Sequence, residues 1–241
     1  MDDTLDADIR RIAAAEADGM RLAVDRRADP GGPWFTVTEL LESDGAPAVL
    51  LSRIAGMTGP PPEHIRAEWL FESFARVLGE VGAAFLLATG RLPELTAGNL
   101  LMASRGGLIA GVALRSDRMG VPAPGRDEPP VATLRESLVA LTGPFAAWFD
   151  RHGLRPEKTL WKSAADRIAE ATFWAGRAFD QPEAARELAS GLLAVPGPLQ
   201  IPLETVIDPR GTERHRRVTC CLAYRAAGGS LCFACPLNRR P

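Results

Sequence analysis

Ile65-Arg-Ala-Glu-Trp69-Leu-Phe-Glu-Ser-Phe74-Ala-Arg-Val77-Leu-Gly-Glu-Val81 is the stretch that decides the fold. Ile65, Trp69, Leu70, Phe74, Val77, Leu78 and Val81 recur at helical spacing and share one stripe. Pro60-Pro61-Pro62 breaks the chain ahead of this helix. The pattern runs to about Leu87, and Gly90 and Pro93 end it. Trp69 and Phe74 read as core packing rather than as walls of a ligand pocket, because apolar helical stripes usually pack.

Working outward toward the N-terminus, Thr4 to Ala17 predicts a helix, with Leu5, Ile9, Ile12 and Ala13 on one face. Arg21 to Arg27 reads as a short strand and Asp29 to Pro33 as a loop. Thr36 followed by Glu39 is a capping box, which starts a short helix at Val37. Toward the C-terminus, Leu100 to Arg115 predicts two strands joined by a Gly106-Gly107 turn. Those glycines lack the strand–GxGxxG–helix context and the Walker lysine of a nucleotide loop. Val121 to Pro130 holds four prolines and reads as a linker. It divides the chain into an N-terminal α/β part, residues 1–125, and a helical part, residues 126–241. Within the second part, Val131 to His152 is a helix that Gly143-Pro144 should kink or split. Pro156 to Phe179 is another, with Leu160, Ala164, Ile168, Ala171, Ala175 and Ala178 as its seam. Pro182 to Leu193 is a third. The fold class expected is α+β, a predominantly helical body with a small β component and a distinct C-terminal segment from about residue 205.

Of the 241 residues, 46% are apolar and 24% charged, an ordinary globular composition. The net charge of −2 implies no general affinity for nucleic acid. The charge is uneven: residues 201–241 carry seven arginines against Glu204, Asp208 and Glu213, a local net of +4, which leaves −6 for the rest. No apolar run approaches the roughly 18 residues of a transmembrane helix. The start, Met-Asp-Asp-Thr-Leu-Asp-Ala-Asp, lacks the features of a secretory signal, so a cytoplasmic location is expected.

All four cysteines fall in the last segment: Cys220-Cys221, ten residues, then Cys232-Phe-Ala-Cys235. Such clustering points to one site. Two disulfides would need an oxidising compartment, and a Cys220–Cys221 bridge would be strained. Zinc and an iron–sulfur cluster both take four thiolates. Cys232-Phe-Ala-Cys235 is a good zinc knuckle, but the other half is a bare Cys-Cys. Neighbouring side chains of a strand point to opposite faces, so both thiols reach one site only if the backbone bends there. A two-iron cluster offers a wider target than one ion; geometry alone leaves the two open. His64 and His152 sit at predicted helix ends, where capping accounts for them. His215, in the basic run before the cysteines, could replace a thiol as ligand, but four thiols already fill a site.

The string Arg216-Arg217-Val-Thr-Cys220-Cys221-Leu-Ala-Tyr224-Arg225, then Gly228-Gly229, then Cys232-Phe-Ala-Cys235-Pro236-Leu237 resembles the C-terminal signature of the ferric-siderophore reductases. Leu160-Trp161-Lys162-Ser163 resembles more weakly that family's Leu-Trp-Gly-Asn segment, with Lys162 and Ser163 in place of Gly-Asn. The resemblance implies a [2Fe–2S] cluster on Cys220, Cys221, Cys232 and Cys235, and one-electron reduction of an iron(III)–siderophore complex so that iron leaves as Fe(II). No catalytic residue beyond the cluster ligands is implied. Arg214, Arg216 and Arg217 are the expected substrate-docking or potential-tuning residues, and Tyr224 and Phe233 the expected cover over the cluster. With no flavin or nicotinamide fingerprint in the sequence, electrons should arrive from a ferredoxin or a soluble reductant. Two other readings remain beside this one: a zinc-stabilised binding protein and a [2Fe–2S] carrier without a siderophore site. The helical body is expected to stay folded without the cluster, while the chain from about Thr219 loosens.

Overall fold

A computed structural model describes residues 7–12, 21–23, 34–43, 45–56, 59–115, 130–226 and 229–238. In chain order the elements are a helical stretch over residues 7–12 (α1), β1 (Arg21–Ala23), β2 (Trp34–Thr36), α2 (Val37–Glu42), α3 (Gly45–Arg53), α4 (Glu63–Thr89), β3 (Leu100–Arg105) and β4 (Leu108–Leu114). After them come α5 (Pro130–Arg151), α6 (Glu157–Ala178), α7 (Pro182–Leu193), β5 (Thr205–Ile207), β6 (Glu213–His215) and a 3₁₀ turn at Ala223–Arg225. The architecture is α+β with a helical body, as the periodicities predict.

Helix α4 is the axis of the molecule. Its Phe71 and Phe74 are fully buried against Phe145 and Phe149 of α5, the Phe74–Phe145 pair edge-on at 5.1 Å. Its other flank meets α6 so closely that a Cβ on Gly79 would lie 3.0 Å from the Ile168 Cα. The alanines of α6 make that approach possible: Ala164, Ala171 and Ala175 are buried, though Ala178, expected in the same seam, is exposed. The sheet runs β1-β4-β3-β2, with β1 parallel to β4 and the other pairs antiparallel. Gly106 and Gly107 turn the β3–β4 hairpin at φ of 58° and 86°, the paired left-handed conformations of a tight hairpin turn. Ser73 of α4 accepts the Ile109 N–H at 2.9 Å, tying helix to sheet. Core residues from residues 9–114 and from residues 134–201 form one continuous cluster.

The capping box is present: Thr36 Oγ1 accepts the Glu39 N–H while Glu39 accepts the Thr36 N–H. Helix α5 differs from expectation, running unbroken through Pro144. The residues around the proline explain this. Leu141, Phe145 and Phe149 are all buried in the shared core, and their burial outweighs the one helical hydrogen bond that proline forfeits. The expected linker and the boundary at residue 125 lie outside the described residues, apart from Pro130, which opens α5. Most of the first expected helix and the Asp29–Pro33 loop also lie outside them.

Candidate metal centre

The C-terminal segment is held by a buried polar layer between α4 and α6. Three turns of α4 and α6 present Glu68, Glu72, Ser163 and Asp166 on facing sides, and all four are buried. Asp166 carries the most bonds. Its Oδ1 accepts from His215 Nε2 at 2.8 Å and from the Val218 N–H at 2.9 Å. Its Oδ2 accepts from the Thr219 N–H at 2.8 Å and the Thr219 hydroxyl at 2.5 Å. Burial alone would raise this carboxyl's pKa; the bond from His215, the charge of Arg217 and the bonds from Thr219 and Val218 outweigh it and hold the pKa below its ordinary value. Glu72 is shared by two arginines, pairing with Arg217 and, at 2.6 Å, with Arg167. Glu68 accepts from Ser163 and, at 2.7 Å, from Arg155. Burial and the neighbouring Glu72 charge leave Glu68 raised all the same. Ser163 lies 3.2 Å from the Thr219 hydroxyl, so this residue of the weaker upstream resemblance does reach the cysteine arm.

Beyond Thr219 the chain carries its first pair of thiols. The bend that a Cys-Cys pair needs is at Leu222, whose φ of 60° is uncommon for a residue with a side chain. The turn directs two backbone donors at sulfur: the Leu222 N–H to Cys220 Sγ at 3.4 Å, and the Ala223 N–H to Cys221. Trp69 of α4 donates its indole N–H to the Cys221 carbonyl at 2.8 Å. The second arm closes as a tight turn, Cys235 N–H to Cys232 O at 3.1 Å. It is joined to the first by the Arg217 N–H on Ala234 O, also 3.1 Å.

The four thiols are free and meet across the arms. Cys232 donates to Cys221, which pulls Cys221 below the ordinary thiol range and pushes Cys232 above it. Cys220 and Cys235 are likewise hydrogen-bonded, and burial chiefly raises Cys220. Among the described residues no group of three or more His, Cys, Asp or Glu side chains is gathered where a single metal ion could be held. Two bridging pairs, each taking one sulfur from each arm, suit a centre with two metal atoms better than one tetrahedral ion.

Cys221 and Cys232 open onto a cleft of about 310 Å³. Phe233 and Ala234 line it beside them. Arg167, Arg210, Arg214 and Arg217 line it too, against only two carboxylates, Glu170 and Asp208. The three expected docking arginines part company here. Arg214 lines the cleft, paired with Asp208 at 2.8 Å. Arg217 lines it as well but is only 5% exposed, its charge held by Glu72 and Asp166. Arg216 is not among the lining residues. His215 is buried on Asp166, so it is turned to α6. His152 bonds the Trp148 carbonyl at the end of α5, the capping role expected of it. Phe74 is core, whereas Trp69 serves the cysteine arm. Tyr224 is half-buried and accepts from Arg225 Nε at 3.2 Å.

A four-thiol redox centre is the class of site that these residues define. Compared with known families, residues 217–237 match the FhuF 2Fe-2S C-terminal domain. The match covers the two cysteine arms, and the group it points to is a [2Fe–2S] cluster. No curated protein matches the chain. Among the described residues no helix is long and apolar enough to cross a membrane.

Proposed function

We propose that this chain is a ferric-siderophore reductase in which Cys220, Cys221, Cys232 and Cys235 hold a [2Fe–2S] cluster. The observation that carries the reading is the pair Cys221 and Cys232 on the wall of an arginine-lined cleft. When bound by four thiolates, such a cluster exchanges single electrons and offers no open coordination position. The residues around it do the rest. The Leu222 and Ala223 amides favour the thiolate form of Cys220 and Cys221, and Arg217 sets a buried positive charge beside Cys221. Arg214 and Arg210 stand at the cleft as the charges that an anionic ferric complex meets, with Arg216 behind them on the same arm. Phe233 covers the sulfurs from water. One electron converts the bound Fe(III) to Fe(II), the hard oxygen donors of the siderophore lose their hold, and no covalent bond of the siderophore breaks. An external one-electron donor, such as a ferredoxin, restores the protein in the cytosol.

The test is spectroscopic. Protein purified without oxygen should be reddish-brown, with two irons and two acid-labile sulfides per chain, and each single Cys→Ser change should remove or destabilise that colour. Chemical reduction should bleach it. Ferric siderophore added without oxygen should restore it, with Fe(II) trapped by a chelator. A colourless protein carrying one zinc would establish the zinc-stabilised alternative. A cluster that stays reduced before every class of ferric siderophore, yet exchanges electrons with a ferredoxin, would establish the plain carrier.

A further inference from the structure

Beside the cleft, on α6, Trp174 is 42% exposed. Two guanidinium groups lie over its ring: Arg177 at 5.1 Å and Arg214 at 5.9 Å from the centroid. Arg214 also lines the cleft, so the tryptophan continues the wall on which Cys221 and Cys232 open. The arrangement extends outward. Arg177 donates to the Glu213 carbonyl, and Arg186 of α7 pairs with the Glu213 carboxylate at 2.5 Å. Across the β5–β6 ladder from Glu213, Ile207 is 62% exposed. The hydrogen bonds and packing of the helical body explain neither large apolar side chain, and solvent is a poor place for both.

We propose that this shelf, Trp174 and Ile207 with Arg177 and Arg186, is the docking surface for an acidic one-electron carrier protein that reduces the cluster. Three features on the surface fit that occupant. An exposed tryptophan among arginines has the composition of an interface anchor. Its charge is basic within a segment whose local net is +4, so it complements an acidic partner and repels a basic one. And it adjoins the cleft where two of the four thiols emerge, which keeps the path for the electron short. The step balances simply: the carrier protein is oxidised by one electron, the cluster is reduced by one, and no proton or bond changes hands.

The proposal rests on the [2Fe–2S] reading, and its test keeps the two apart. The rate at which a reduced acidic ferredoxin reduces the oxidised protein is followed by stopped-flow absorbance as salt is raised. Wild type should be reduced quickly at low salt and progressively more slowly as exposed charges are screened within about 10 Å at 0.1 M. Trp174→Ala and the double variant Arg177→Glu, Arg186→Glu should each lower that rate about tenfold or more at low salt, as loss of steering and of an anchor does. Both variants should keep the wild-type visible spectrum, dithionite reduction rate and reoxidation rate by ferric siderophore. Variants reduced by ferredoxin as fast as wild type would overturn the docking surface. So would a rate that salt leaves unchanged, or a wild type that ferredoxin does not reduce. Failure of siderophore to reoxidise chemically reduced protein would instead strike the reductase reading, and leaves the docking result standing on its own measurement.

Discussion

Asp166 is the residue on which the cysteine arm hangs. It gathers four hydrogen bonds on two oxygens, all from residues 215–219, and solvent does not reach it. Asp166→Asn keeps the shape but replaces one acceptor oxygen with an amide that faces donors. We expect a loss of about 3 kcal/mol, the scale of removing charge-assisted bonds inside a protein, seen as a lower urea midpoint of the cluster-free protein. The carboxyl's depressed pKa gives a pH signature. Its contribution is present above the ordinary aspartate value of 3.8 and is lost as pH falls through the lower folded value. Wild-type stability should therefore drop more steeply below about pH 4 than that of the Asn variant. A parallel pair of pH–stability curves would contradict the assignment. The cysteines were legible in the sequence because four thiols in sixteen residues have no bland explanation. Asp166, Glu68 and Glu72 were not: single carboxylates on amphipathic helices look like a solvated face. Only the close packing of α4 on α6 turns them inward. A faint signal existed in Glu68 and Glu72, which sit one turn apart amid Ala67, Leu70 and Phe71.

At the scale of elements, the helices declared themselves through periodicity and the hairpin through its two glycines, because both depend on local spacing. Continuity of α5 across Pro144 was hidden, since it depends on what Phe145 and Phe149 touch. The loop between the cysteine arms was hidden for the same reason. The 3₁₀ turn at Ala223–Arg225 folds back so far that a Cβ on Gly229 would stand 1.9 Å from the Ala223 carbonyl oxygen. A backbone oxygen cannot move aside as a side chain does. Gly229→Ala should therefore displace the turn that aims the Leu222 and Ala223 amides at sulfur, while touching nothing in the body. The expected result is a cluster lost severalfold faster to a chelator, with helical circular dichroism unchanged and the stability of the body within about 0.5 kcal/mol of wild type. Equal loss rates would mean that the loop absorbs the methyl without moving the sulfurs.

At the scale of the whole molecule, the question is how far the fold depends on the cluster. Sequence position alone places loosening from about Thr219, because a terminus without its anchor frays. The structure supplies another anchor. Val218 and Thr219 bond Asp166, Arg216 N–H bonds the Glu204 carbonyl, and Arg217 pairs with Glu72; none of these needs a metal. The body beneath them has its own continuous core. Removal of the cluster should thus leave the first arm docked as far as Thr219 and free only the residues beyond it. Arg217 makes the prediction sharp, because its side chain belongs to the anchored part while its amide bonds Ala234 of the second arm. In a variant with all four cysteines changed to Ser, amide exchange should stay slow at Arg216, Val218 and Thr219. It should become fast at Arg217, Cys235 and Asn238, whose acceptors lie in the released arm. Far-ultraviolet circular dichroism should keep its helical intensity. If Val218 and Thr219 exchange freely as well, the buried carboxylates do not hold the arm by themselves. The cluster would then be building the site rather than entering one already formed.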